Sequence, residues 1–323
     1  MKHERSPKGW YLLWLLMLAA VLWAEKLPSA GEQCIIRAAA VQADGTCTVG
    51  LLYQQPSEAA DSAQAQEQMR MAWGEGETLA AACACAEEKL PSRAVYKLCD
   101  TVLLCGGQPL AAMRLMQRQV ETDGCGRLAA RVAVWQGDAA GLRRCTAEGQ
   151  GAAALADALE TLRAQAPRLY QAQEPGLVLP VLAESGEGQL LHDGALYLVS
   201  DKRIHLSDVG EEIALLLRDG HARLMLELPS GRRAVVHAVT SLEVKAPDHA
   251  ALTVTAVAYN VPDAADRAQL ETMLQQDCLA VWQLTDTGAA DLPGTQAMLA
   301  LRCGGSFPSA AQRECRVRLW TLE

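Results

Sequence analysis

Six histidines (His3, His192, His205, His221, His237, His249), eleven cysteines and two carboxylate pairs are the residues of this chain that could do chemistry. Their spacing does not assemble it. No HxxxH or HExxH pair puts two imidazoles on one helical face, as a zinc hydrolase requires. No two CxxC motifs stand at zinc spacing. Cys83 and Cys85 are the closest thiols, but they fall in a helical stretch, Thr78–Leu90. Two residues apart on a helix, they point about 200° away from each other and cannot grip one ion. Most of the cysteines read as small buried hydrophobes. One or two disulfides among Cys34 to Cys145 stay open, and sequence alone does not pair them.

The remaining polar groups read as ordinary. His237 alternates with Val235 and Val239 on a strand and reads as structural or solvent-exposed. Glu87-Glu88 and Glu211-Glu212 fall on the polar sides of expected helices, where solvated charge is the default reading. Arg143-Arg144 and Arg232-Arg233 read as surface or turn charge. Gly74-Glu75-Gly76-Glu77-Thr78 leads into a helix as phosphate-cradling loops do. A Walker lysine and a full GxGxxG are missing, so a tight strand-to-helix turn is expected. GxSxG elbows and EF-hand loops are absent too. No catalytic residue, no cofactor and no metal ligand is assigned.

The elements that would position any site begin with a leader. Trp10 to Ala24 (WYLLWLLMLAAVLWA) is unbroken apolar sequence behind the basic head Lys2, Arg5 and Lys8. That is the layout of an export signal, and basic residues stay on the cytoplasmic side. The run has fifteen residues, fewer than the roughly 20 that comfortably cross a bilayer. Leu22-Trp23-Ala24 lacks the small-x-small cleavage pattern, and Glu25-Lys26 stand where a lipoprotein would carry cysteine. An uncleaved anchor is therefore expected over a cleaved signal. Everything from about Glu25 onward is expected outside the cytoplasmic membrane.

At 323 residues, half apolar and 21% charged, the chain has the balance of a folded body of two or three domains. Aromatics are few, so the core should be aliphatic. The net charge of −9, with no long run of one sign, argues against nucleic acid as a partner.

Strand and helix alternate through the first 145 residues. Cys34–Val41 and Thr46–Tyr53 flank the turn Ala43-Asp44-Gly45. A polar loop, Gln54–Gln68, and a strand, Met69–Trp73, follow. After the helix ended by Pro91 come the strand Thr101–Cys105, a helix with Leu110, Met113, Met116 and Val120 on one side, the strand Leu128–Trp135, and a short helix, Asp138–Cys145. This is the pattern of a layered sheet with helices packed on it. Ala152–Gln165 reads as helix, and Pro167 to Gly188 as irregular.

The last third is clearer. Ala195–Val199 and Ile204–Leu206 read as strands, and Ser207-Asp208 caps a helix, with Glu211 placed to close a capping box if Asp208 is the N-cap. Three period-two runs follow, carrying Leu224/Leu226/Leu228, Val236/Ala238/Thr240/Leu242/Val244 and Leu252/Val254/Ala256/Ala258. They predict an antiparallel meander with one packed face. A helix capped by Asp263, with Leu270, Leu274, Cys278 and Val281 as its stripe, should cover that face. A helix over Thr295–Leu301 and a strand over Cys315–Leu322 complete the chain. The fold class is α+β, multi-domain, with mixed and antiparallel sheets and packed helices, preceded by an N-terminal signal or anchor helix. The expected division is 1–24 leader, 25–148 N-terminal α/β-type domain, 149–191 reduced connecting region, and 192–323 C-terminal α+β domain.

Read in order, these segments resemble the Ger(x)C family, the C subunits of spore germinant receptors in endospore-forming bacteria. The residues that carry the resemblance are the strand-turn-strand Ile36–Tyr53, Gly74-Glu75-Gly76-Glu77-Thr78 with Leu90-Pro91-Ser92-Arg93, the strand Arg131–Trp135, and the strand-turn-helix series Gly194–Leu217. The long strands, long helix and final alternating strand also fit, so the likeness runs from about Cys34 to Glu323. Two departures stand out: the lipidated cysteine of the family is missing, and the middle segment, about Ala152 to Leu191, is short. The first favours a protein anchor over a lipid one.

The resemblance implies a non-enzymatic, membrane-tethered scaffold, with polytopic membrane A and B subunits as partners in the spore inner membrane and a role in nutrient-triggered germination. An anchored extracytoplasmic solute-binding protein is the alternative, and an exported hydrolase a third reading.

Overall fold

Strands β1 (Gln33–Gln42) and β2 (Cys47–Gln55) form the expected hairpin, with Gly45 at φ +93°, a conformation open to glycine. The structure, a computed structural model, describes residues 14, 17, 33–55, 68–147, 150–162, 166–172, 176–185, 189–199, 202–228, 230–246, 249–261, 263–286, 292–295, 297, 298 and 312–322. The leader Trp10–Ala24 lies outside these except for Trp14 and Met17, and so does most of the polar loop Gln54–Gln68. Among the described residues no helix is long and apolar enough to cross a membrane.

Strand β3 (Gln68–Gly76) pairs antiparallel with β2 and delivers the chain to α1 (Leu79–Glu87). Thr78 caps that helix, its hydroxyl accepting from the Ala81 N–H at 3.2 Å. A Cβ on Gly74 would stand 2.2 Å from Ala82 O and 2.3 Å from Ala86 N. The glycine is there because the helix backbone lies directly on the strand, the tight turn that the motif predicts.

Next come β4 (Arg93–Val95), β5 (Thr101–Cys105), α2 (Pro109–Asp123), β6 (Arg131–Trp135), α3 (Ala139–Ala147), α4 (Gly151–Leu162), β7 (Leu177–Glu184), β8 (Leu190–Val199) and β9 (Lys202–Leu206). Nine strands make one mixed sheet in the order β3-β2-β1-β5-β6-β7-β8-β9, with β4 paired to the start of β1. The central strands β1, β5, β6 and β7 are parallel, and the flanks are antiparallel. All five residues of β5 are buried, because α1 and α2 cover one face and α3 and α4 the other. Covering both faces is what parallel strands require. Residues 149–191 supply α4 and β7 to this body, and position 191/192 falls inside β8.

Helix α5 (Asp208–Asp219) opens the second body. Its N-cap is Ser207, whose Oγ accepts from the Gly210 N–H at 3.2 Å, so Asp208 starts the helix and no Glu211 capping box forms. Gly220, at φ +77°, ends it. Strands β10 (His221–Glu227), β11 (Arg233–Ala246) and β12 (His249–Tyr259) run as the expected antiparallel meander. Helix α6 (Ala264–Thr285) then carries the chain back to β13 (Gln312–Leu322), which lies parallel to β12. Parallel neighbours need a crossover connection, and α6 supplies it. Of the expected helix Thr295–Leu301, Thr295, Ala297 and Met298 are described and helical.

Leu270, Leu274, Cys278 and Val281 of α6 are buried against the inner face carrying Leu224, Leu226, Val236 and Val254. Each such aliphatic side chain contributes about 1.5–3 kcal/mol of burial. The same core takes in Val178, Ala195, Tyr197 and Leu206 of the large sheet, with Ile213, Leu216 and Leu217 of α5 among them. Helix α5 is thus the joint between the two sheets, and the fold is α+β.

Candidate docking face and the junction beside it

The acidic start of α5 grips both sheets. Asp208 Oδ1 accepts from the Gly194 N–H of β8 at 2.8 Å. Glu211 Oε2 lies 2.7 Å from His192 Nε2, also on β8, and Asp208 Oδ1 lies 3.4 Å from His192 Nδ1. Glu212 Oε2 accepts from the Met225 N–H of β10 at 2.9 Å. Here the structure corrects the reading of Glu211-Glu212 as solvated charge: Glu211 is 1% exposed and Glu212 is half-buried. Nineteen residues upstream, β8 supplies an imidazole whose close ion pair with Glu211 offsets the lost hydration. That pairing holds the His192 pKa above the usual histidine value, against burial, which lowers it. Burial raises the Glu212 pKa, and the Met225 N–H partly opposes the rise.

The other polar groups singled out in the sequence lie at or near the surface. Glu87 and Glu88 are exposed, Glu87 accepting from the Tyr96 hydroxyl at 2.5 Å. Arg143 faces Glu75 and Arg232 faces Asp263, each at 3.5 Å. His205 meets Asp193, His249 meets Glu314, and exposed His237 packs edge-on to Tyr259 with ring centroids 5.6 Å apart. Among the described residues no group of three or more His, Cys, Asp or Glu is placed to hold a metal ion. Burial pushes the Cys99 and Cys105 thiols up to about 12 and Cys145 up to about 11. Thiols so protonated at neutral pH are poor nucleophiles.

A cleft of about 520 Å³ opens beside this joint, between the large sheet and the start of β10. Arg131, Arg168 and Tyr170 line one wall, and Glu212, Arg218 and Arg223 the other. Arg168 Nη1 donates to Ala129 O at 2.8 Å, and Arg218 Nε to Asp219 Oδ1 at 2.7 Å. The volume suits a small ligand, but the walls are more polar than an ordinary ligand pocket.

The outer face of the four-stranded sheet is different in kind. Helix α6 covers the inner face; no described element packs on the outer one. Strand register sets Met225, Val235, Tyr259 and Leu322 in one row across all four strands, and Arg223, His237, Val257 and Trp320 in the next. Met225, Tyr259, Trp320 and Leu322 are between 38% and 52% exposed, and Val239 adds to them from the row beyond. Single exposed apolar residues are ordinary, whereas a contiguous set marks a contact surface. Aromatics with arginine at the margin match the composition of interface centres. The alternation of β11 and β12 shows this face in the sequence. That Trp320 and Leu322 join it follows only from the β12–β13 pairing.

No protein-family model and no curated protein matches the chain. Among solved structures it is similar to the crystal structure of the GerBC protein, at 12% identity and a TM-score of 0.45, over 88% of this chain and 97% of that one.

Proposed function

We propose that this chain is a non-enzymatic C subunit of a spore germinant receptor of the Ger(x)C kind. Residues 1–24 tether it to the spore inner membrane, and the rest lies on the extracytoplasmic side. Residues 25–148 and 149–191 form the supporting body, and 192–323 carry the surface that docks on the polytopic A and B subunits. The observation that carries this reading is the open outer face of the C-terminal sheet, in a chain whose ordered segments resemble that family. Tethering raises the effective concentration of the docking face beside membrane partners. The subunit is needed for nutrient-triggered germination, and no nucleic acid, cofactor or metal takes part.

The test is complementation of a deletion strain that lacks paralogues. The deletion should abolish the nutrient response, and the native chain should restore it. A Tyr259→Glu/Trp320→Glu chain, folded but repelled from an apolar partner, should not. Full restoration by that double variant, or a deletion with no effect, sinks the reading.

The cleft favours a second reading, an anchored solute-binding protein for small anions, since four guanidinium groups surround it. A ligand at one hundred times its Kd stabilises its receptor by about 2.7 kcal/mol. Thermal shifts with small carboxylate nutrients, lost in Arg168→Ala/Arg223→Ala, would support it, and flat melting curves with every such nutrient would remove it.

A further inference from the structure

The end of the large sheet at which its parallel strands start is basic, in a chain whose net charge is −9. There β1 and β4 begin side by side, with Gln33 opposite Arg93, and β5 joins β1 only from Ala38 onward. The pair therefore overhangs β5 by about 16 Å, the rise of five strand residues. Helix α2 returns the chain to the same end, and the turn after it, Gly124 to Arg127, lies beside the overhang. An open pocket of about 820 Å³ is lined there by Gln33, Arg93, Tyr96, Lys97, Gly126 and Arg127, among others. Arg93, Lys97 and Arg127 are exposed, and among the described residues none of them is held in an ion pair. No described carboxylate lines the pocket. Those that border it are engaged: Glu87 accepts from the Tyr96 hydroxyl at 2.5 Å, and Asp123, next to Gly124, from the Gln119 side-chain amide. Such an opening suits a phosphate, whose oxygens take guanidinium forks in pairs while the ammonium adds a point charge. Arg131 and Arg168 continue the positive charge along the same end, where β6 starts.

The point at which the chain enters the body decides where that phosphate comes from. Gln33 lines the pocket, and only eight residues, 25–32, separate it from the apolar leader. Fully extended, eight residues reach about 28 Å at most, so this end of the sheet is the part tied most closely to the bilayer. We propose that the pocket seats the phosphate of an anionic phospholipid headgroup, and that the body stands on the membrane by this end. The inference rests on the membrane tether proposed above. Each lysine or arginine beside an anionic surface strengthens attachment about fivefold, so the three together favour a seated body about a hundredfold over one free on its leader. The attraction is short-ranged, fading over a Debye length of about 8 Å at physiological salt. It therefore holds the body only with the pocket at headgroup level.

The test reconstitutes the full chain with vesicles of phosphatidylcholine alone and with vesicles that also contain phosphatidylglycerol. Flotation reads the tether, and hydrogen exchange of segments 93–97 and 124–127 reads the seating. The chain should float with both kinds of vesicle, and exchange in the two segments should slow at least about tenfold on the anionic ones alone. An Arg93→Gln/Lys97→Gln/Arg127→Gln chain should melt as the native chain does, float with both and lose the slowing. An Arg232→Gln/Arg233→Gln/Arg316→Gln chain, which removes as much exposed charge from the other sheet, should keep it. Equal exchange on the two vesicles, slowing that survives the first triple change, or slowing lost in the second overturns the proposal and leaves the tether standing. Equal slowing on neutral vesicles with inorganic phosphate added assigns the pocket to free phosphate and also overturns it. Flotation with the anionic vesicles only, abolished by the first triple change, keeps the seat and refutes the tether. Flotation with neither refutes both.

Discussion

Replacing His192 by alanine leaves the Glu211 carboxylate buried without its partner. The Glu211 side chain is 2% exposed and the His192 side chain 30%, with 2.7 Å between them. Breaking a buried pair by removing one partner costs about 3–5 kcal/mol. The lower end applies because the imidazole keeps some contact with water. At about 2–4 °C per kcal/mol for domains of 150–250 residues, His192→Ala should lower the Tm by about 6–12 °C. Removing both charges (His192→Leu/Glu211→Leu) should cost less than His192→Ala alone, because no unpaired carboxylate remains.

The pH dependence follows from the sign of the shift. The folded-state pKa of His192 is raised above 6.5, its ordinary value. The stability it contributes is therefore complete below that value and is lost as pH rises through the raised folded pKa. The difference between the native chain and His192→Ala should be largest near pH 5.5 and shrink by pH 9. Glu212 titrates in both proteins, and in His192→Ala it loses the imidazole charge that helps to hold its pKa down. Chemical denaturation at several pH values, followed by circular dichroism, measures it. A difference below about 1 kcal/mol at pH 5.5, or one that does not change with pH, would refute the argument.

Three further outcomes follow from packing. Gly74→Ala should destabilise by about 1–3 kcal/mol, since the added methyl meets helix backbone that cannot rotate away; a melting curve equal to the native one would count against it. Leu274→Ala, at a position 0% exposed in the C-terminal core, should cost about 2–5 kcal/mol by the same measurement. Asp286→Ala leaves the mostly buried guanidinium of Arg313 without the carboxylate it pairs with, and Arg313 also stands over the Trp282 ring. That change should cost about 3–5 kcal/mol, and Arg313→Met in the same chain should recover part of it.

The elements were legible wherever periodicity met burial. The Leu270–Val281 stripe names the buried side of α6, and the all-apolar run TVLLC names a strand covered on both faces. Direction and pairing were not legible. Period two in Cys315–Leu322 shows which side chains share a face, but only the fold shows the parallel run beside β12. The joint was hidden for a similar reason. Glu211 looks like any helical carboxylate, because the imidazole that justifies its burial arrives from a strand of the large sheet. The docking face was half visible, in the mixed outer residues of β11 and β12.

The twelve-residue helix α5 spans about 18 Å, and its first turn holds on to strands of both sheets. Pivoted at that end as a rigid rod, the helix would press its buried residues Ile213, Leu216 and Leu217 against the shared core. A tilt of about 10° at the Asp208 end would swing the Asp219 end by about 3 Å. That travel exceeds the tolerance of a hydrogen bond, so a small displacement of β8 at His192 and Gly194 would be felt along the arginine-lined cleft and at the margin of the open face.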